Sequence, residues 1–412
     1  MTPSREQQFL VYLHDRAVGV LHRREDSTRF VFLPDYQRDP QRTVLGLRFE
    51  QNLRGGHAAN MRLPPWFSNL LPEGRLREWI AQAAAVSIER EMSLLAQVGH
   101  DLPGAVRVVP ADEPLPLDMA NDDISPRTQR APDPSELFRF SLAGVGLKFS
   151  MLRLGERFTA PAVGQGGDWI VKLPEPSPLS NVPQNEFAMM TLASAAGIDI
   201  PDVKLVHRDE IESLPDRVWP PGEEHAYAIR RFDRGEKREL IHIEDFAQVR
   251  GFYPEEKYTG TFETVAALVH RNRDVDSLRE FVRRLAFNVL IGNGDAHLKN
   301  WSFIYRDRRN PTLAPAYDLV ATAVYRLSGA NPEDLGLRFG GTKRFDAIRL
   351  SHFAALDARL KAHASLSDVV ADFVDRVVAA WPHVEELLPE AYDMRAGVRA
   401  LIHQRAAMLR RP

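Results

Sequence analysis

Three polar residues in the second half of the chain stand in an order that suits phosphate chemistry. An apolar run, FNVLI, ends in Gly292-Asn293-Gly294; Asp295 follows at once, and Asn300 comes five residues later. A β-prone run from Trp301 to Tyr305 and a polar turn then lead to a second extended segment ending in Tyr317-Asp318. Phosphoryl transfer needs a carboxylate at the acceptor hydroxyl, hard oxygen ligands for Mg²⁺, and cationic or amide donors on the phosphates. Carboxylate and amide oxygens suit Mg²⁺, which uses few protein ligands and keeps several waters. A lone Asp-x4-Asn could equally cap a turn and satisfy loop backbone. The apolar helix before it, the hairpin after it and the second Asp favour a site built from Asp295, Asn300 and Asp318.

Protein kinases use this order, with the same Asp-to-Asn spacing, and place their phosphate-holding groups upstream. Upstream here lies Ser141-Leu142-Ala143-Gly144-Val145-Gly146-Leu147-Lys148 between strand-like residues. Glycines let backbone N–H groups approach a phosphate, and a lysine adds charge; a tight hairpin turn explains the same residues equally well. Lys172 in WIVKLP points from a strand, and Glu186, which opens the next predicted helix, could pair with it. Arg230-Arg231-Phe232-Asp233 ends the last strand of this half, where backbone groups would meet an adenine.

The elements that must position these groups can be read in outline. Phe9–Leu13 and Val18–Leu21 predict a hairpin about His14-Asp15-Arg16. Helices follow LPPWFSNLLPEG, so residues 1–110 read as a small α+β unit. Residues 111–135 are rich in proline and acidic residues and poor in large apolar ones, the composition of a linker. Residues 136–235 are strand-rich with one helix, NEFAMMTLASAAG, terminated at Gly197. Residues 236–412 are mostly helical. Leu278, Phe281, Val282, Leu285, Val289 and Leu290 form a core stripe behind an Asp276 cap, and Val369 to Trp381 form another behind Ser367.

Bulk composition narrows the classes. The 412 residues are 44% hydrophobic, and Lys+Arg 53 against Asp+Glu 56 gives a formal net charge of −3. No global field draws such a chain to nucleic acid or membrane. With no cysteine, disulfides, thiolate metal sites and a Cys nucleophile are excluded. Neither a signal peptide nor an apolar stretch of the roughly 18 residues needed to span a bilayer is evident, so the expected address is cytoplasmic, without membrane contact.

Together these motifs resemble the HipA family of bacterial serine/threonine kinase toxins over most of the chain. The resemblance rests on LPPWFSNLLPEG, IVKLP, the NE of NEFAMM, RFDR, HIEDFAQVRG, GDAHLKN and AYDL, in that order. It implies an α+β, two-lobed protein-kinase-like fold with an appended N-terminal α+β subdomain. It implies ATP and Mg²⁺ as cofactors, Asp295 as the acceptor-side base, and Asn300 and Asp318 as metal ligands. Ala143, Gly144, Val145, Gly146, Leu147 and Lys148 would cover the phosphates, and Lys172 would anchor them. Arg230, Arg231 and Phe232 would border the adenine; His297, Leu298, Lys299 and Asn300, with Tyr317, Asp318, Leu319 and Val320, would line the far side of the nucleotide. Ser141 occupies the position whose autophosphorylation silences family members. Gly146 stands where many members carry Gln, Leu147 where they carry a polar residue or Pro, and Arg230 where some carry an acidic residue. The resemblance further implies a helix-turn-helix, HipB-like antitoxin, operator DNA reached through that antitoxin, and a protein substrate, with aminoacyl-tRNA synthetases among the family's targets. The competing readings are a small-molecule kinase of the aminoglycoside- or choline-kinase type and a catalytically inert kinase-fold corepressor.

Overall fold

The computed structural model describes residues 7–111, 147–160, 166–175, 179–212, 214, 218–325, 334–390 and 393–410. The proposed linker, apart from residue 111, and Ser141 to Gly146 therefore lie outside the described residues.

The N-terminal part is a five-stranded antiparallel sheet, β1 (Gln7–Leu13), β2 (Arg16–Arg24), β3 (Ser27–Phe32), β4 (His57–Asn60) and β5 (Val106–Pro110), in the order β4-β3-β2-β1-β5. The predicted hairpin is present, with His14 in the left-handed region at its turn (φ 55°). Along β1 exposure alternates, so Phe9, Val11 and Leu13 face inward, as a half-buried strand requires. Their face packs on a cluster of rings: Phe30 lies 4.7 Å from Phe67, and Trp66 lies 5.1 Å from Phe67. Each such ring contributes about 1.5–3 kcal/mol by burial. The LPPWFSNLLPEG segment supplies two of them through the one-turn helix Pro65–Ser68.

A second antiparallel sheet holds β6 (Lys148–Leu154), β7 (Arg157–Thr159), β8 (Trp169–Lys172), β9 (Val203–His207) and β10 (His225–Arg230), ordered β7-β6-β8-β10-β9. Lys172 is opposite Lys148 on one side and Tyr227 on the other. The helix Val182–Ala195 lies against β9 and β10 and ends at Gly197 (φ +91°), as expected. It begins earlier than predicted, because Pro183 suits a first turn that needs no N–H donor. Glu186 is thus in its second turn.

The remaining half is mainly helical, with a small sheet of β11 (His242–Asp245), β12 (Ser302–Tyr305) and β13 (Thr312–Leu313). Its central helix, Val275–Ile291, buries the predicted stripe and stops at Gly292 in the left-handed region (φ 73°). The cap is Asp274 rather than Asp276: its carboxylate accepts from Ser277 N at 2.9 Å. The helix Leu366–Ala380 follows Ser365, not Ser367, and Ser365 makes no side-chain cap. Asp357, from the preceding helix, accepts instead from Ala364 N and Leu366 N, both at 3.1 Å. Among the described residues no helix is long and apolar enough to cross a membrane.

The N-terminal unit is docked on both lobes. Trp66 Nε1 donates to Glu244 Oε2 at 3.2 Å, Gln248 Nε2 donates to Trp66 O at 3.0 Å, and Asn69 Nδ2 donates to Phe252 O at 2.7 Å. Two landmark segments, LPPWFSNLLPEG and HIEDFAQVRG, therefore interlock. Glu244 is fully buried and also accepts from Leu47 N (3.0 Å) and Tyr305 OH. Burial outweighs these donors and pushes its carboxyl up from 4.5 to about 7. A group that holds its proton more tightly when folded penalises folding as pH rises from its unfolded value through its folded one. Between about pH 5 and 8, wild-type stability should therefore decline more steeply than that of Glu244→Gln, whose amide does not titrate. Thermal unfolding across that range checks this; parallel profiles would discard Glu244 as the source.

Candidate active site

A cleft of about 640 Å³ opens where all three parts meet. The upper sheet contributes Lys148, Ile170, Lys172, and Ile229 to Asp233; the helical half contributes Asp295, His297, Lys299, Asn300, Tyr317 and Asp318. The N-terminal unit contributes a third wall, including Asn69 to Glu73 and Asp101 to Pro103, which sequence reasoning did not anticipate.

The residues of the candidate catalytic loop are held by hydrogen bonds that radiate from the helix end. Asn293 Oδ1 accepts from Asp295 N at 3.1 Å, while its Nδ2 donates to Asn288 Oδ1 at 2.8 Å and to Asp318 O at 3.2 Å. One side chain thus ties the Asp295 segment to the Asp318 segment. Gly294 N donates to Thr322 Oγ1 at 2.8 Å. Asn300 Nδ2 donates to Asp295 O at 2.9 Å, which closes the five-residue loop and leaves the amide oxygen for another partner. Tyr258 OH donates to Asp295 Oδ1 at 2.6 Å. Tyr258 was missed in the sequence, since nothing near it in the chain marks it as a site residue. Beside it, burial and then Lys257 push the buried His297 well below its ordinary pKa, so the ring is neutral at physiological pH.

Lys172 is the electrostatic centre. Its ammonium contacts Glu186 Oε1 at 2.6 Å and also Asp318 Oδ1. Burial opposes its charge, but Asp318 and Glu186 overcome that and hold its pKa above the ordinary lysine value. Burial likewise opposes ionisation of Asp318, yet Lys172 and Lys148 outweigh it and bring the carboxyl down to about 2. Asp318 adopts a left-handed backbone (φ 55°), which Asp tolerates better than most residues. Asp318, an ionised carboxylate, and Asn300, whose amide oxygen makes no hydrogen bond among the described residues, both line the cleft and fit the sparse oxygen set that Mg²⁺ takes from proteins.

Other predicted residues divide. Phe232 lines the cleft with its ring 5.7 Å from Tyr317, and Ile170 and Ile243 add apolar wall. Arg230 is at the rim, 3.4 Å from Asp202. The Arg231 guanidinium turns toward the N-terminal unit, where it meets Asp101 at 2.7 Å, and it also pairs with its near neighbour Asp233 at 2.9 Å. Leu147 is buried with the upper-sheet core. Leu298 and Leu319 belong to the hydrophobic core of the helical half, and Val320 is absent from the cleft lining. For Leu147, Leu298 and Leu319, packing in the core removes apolar surface from water. Ser141, Ala143, Gly144, Val145 and Gly146 lie outside the described residues.

Comparison with known proteins places this geometry. The HipA N-terminal domain matches residues 9–109, and the HipA-like C-terminal domain matches residues 140–381. The protein Y4dM of Sinorhizobium fredii is 42% identical over 396 residues, covering 92% of this chain and 93% of the relative. The serine/threonine-protein kinase toxin HipA of Shewanella oneidensis is 29% identical over 363 residues, covering 79% of this chain and 77% of that one. A solved complex of HipA, HipB and operator DNA from Shewanella oneidensis MR-1 has a TM-score of 0.73 at 24% identity, covering 97% of this chain and 96% of that one; the likeness is one of fold. With both of the family's domains present in order, the chain belongs to the HipA family of kinases.

Proposed function

We propose that this chain is an ATP- and Mg²⁺-dependent protein serine/threonine kinase that acts as the toxin of a toxin–antitoxin pair. The observation that carries the reading is Lys172, whose ammonium joins Glu186 of the upper lobe to Asp318 of the lower one. Phosphoryl transfer requires such a cation on the nucleotide's phosphates and such a carboxylate at the metal. In this reading Phe232, Tyr317, Ile170 and Ile243 enclose the adenine, and Lys172 orients the phosphates. Asn300 and Asp318 hold Mg²⁺, which when bound offsets the charge of the transferring group. Asp295, steadied by Tyr258, accepts the proton of the acceptor serine or threonine hydroxyl. Ala143 to Lys148 cover the phosphates, and autophosphorylation at Ser141 silences the enzyme by adding about −1.5 to −2 charge beside that loop. A HipB-like helix-turn-helix antitoxin restrains the toxin and carries it to operator DNA, and an aminoacyl-tRNA synthetase is the target whose phosphorylation halts translation and growth.

Labelled γ-phosphate should pass from ATP to protein in a cell lysate, and not to a panel of aminoglycosides and small alcohols. Calorimetry should find ATP affinity lost when a chelator removes Mg²⁺. Transfer confined to small alcohols would replace the protein-kinase reading, and equal affinity with chelator would remove Asp318 as a metal ligand.

A further inference from the structure

The wall supplied by the N-terminal unit brings the carboxylate of Glu73 against two lysines of the cleft. Glu73 Oε1 contacts Lys299 Nζ at 2.7 Å, and Glu73 Oε2 contacts Lys257 Nζ at 3.0 Å, so each oxygen takes one ammonium. Lys299 Nζ also donates to Asn69 O at 3.1 Å. The three side chains are largely enclosed, with 24%, 14% and 10% of Glu73, Lys299 and Lys257 exposed. Burial disfavours the Glu73 charge, but Lys299 and Lys257 hold its carboxyl well below the usual range.

Both lysines are built into the frame of the base. Lys299 lies between His297 and Asn300 on the catalytic loop. Lys257 O accepts from Leu298 N at 3.0 Å, and the next residue, Tyr258, donates to Asp295. Two ammonium groups this close would repel and swing apart without a shared anion. Both lysines line the cleft, where Asp245 also supports the charge of Lys299. Glu73 itself is fixed in place: it follows Pro72 and opens the helix Gly74–Ala83.

We propose that Glu73 is a positioning residue for phosphoryl transfer: delivered by the N-terminal unit, it holds Lys299 and Lys257 side by side so that their remaining donors meet the transferring phosphate. This rests on the kinase reading above. It makes the N-terminal unit a contributor to turnover, not an appendage.

The test uses the full chain with MgATP as the probe, reading phosphate release to water and γ-phosphate transfer to casein, with calorimetric MgATP affinity and thermal unfolding measured alongside. Glu73→Gln, nearly isosteric, should lower kcat about tenfold or more with MgATP affinity and melting little changed, the pattern of a group that acts in the transition state. Glu73→Asp should recover part of the rate. Unchanged or faster turnover in Glu73→Gln would overturn the proposal, as would a loss that tracks melting and is not restored by Asp. A wild-type chain that transfers phosphate neither to water nor to casein would overturn the kinase reading itself, and this proposal with it.

Discussion

Asp295→Asn is expected to lower phosphate transfer by about 10²–10⁴-fold while leaving the fold intact. Asparagine keeps the shape and one oxygen of aspartate, so the bond from Tyr258 OH (2.6 Å) can persist, as can the backbone bond from Asn300 Nδ2 to residue 295 O (2.9 Å). What disappears is the carboxylate able to receive a hydroxyl proton. MgATP affinity should hardly change, because in the proposed reading Asp295 serves the acceptor hydroxyl while Asn300 and Asp318 hold the metal. Rates of γ-phosphate transfer to casein, compared with calorimetric affinity, separate the two effects. Undiminished transfer would strip Asp295 of the role of base and leave it a turn-capping residue.

Asp233→Ala is expected to cost about 3–5 kcal/mol of stability, the range for removing one partner from a buried ionic group. Asp233 is 4% exposed and accepts from Arg231 Nε (3.0 Å) and Nη2 (2.9 Å), Arg234 Nη1 (3.0 Å) and Gly104 N (2.7 Å). Asp101 takes the other face of both guanidinium groups, at 2.7 Å and 2.9 Å. Without Asp233, two buried arginines share one carboxylate, and the Gly104 amide loses its acceptor. Denaturant titration with the slope monitored would detect the loss. A change within about 0.5 kcal/mol, as for an ordinary surface substitution, would mean that the network does not hold the connector to the N-terminal unit.

The shape of the candidate catalytic loop was legible in the sequence because its logic is local. Asp295 and Asn300 lie within one turn of chain, and their backbone bond fixes the spacing. The apolar stripe of Val275–Ile291 was legible for the same reason, since helical period and burial face agree. Helix starts were less so: Asp274 and Asp276, or Ser365 and Ser367, are similar capping candidates two residues apart, and tertiary surroundings chose between them. The Lys172–Glu186 pair could be suggested only by its order in the chain. Glu73 was not legible at all. Its partner Lys257 is 184 residues away, and the bond exists only because the ring cluster around Trp66 docks against Glu244. The direction of the Arg231 guanidinium was equally hidden: Asp101, 130 residues distant, captures it, while the residue itself lines the cleft.

The segment joining the two lobes would ordinarily be the pivot about which a cleft of this kind breathes. Here Arg231 and Arg234 are clasped from outside by Asp101, Leu102 O and Gly104 O, and the same outer unit grips the lower lobe through Trp66, Asn69 and Glu73. A brace that spans a hinge stiffens it. On the proposed kinase reading, passage of nucleotide through the cleft would be coupled to how firmly residues 63–105 sit on the two lobes, which puts a control on timing some distance from the chemistry.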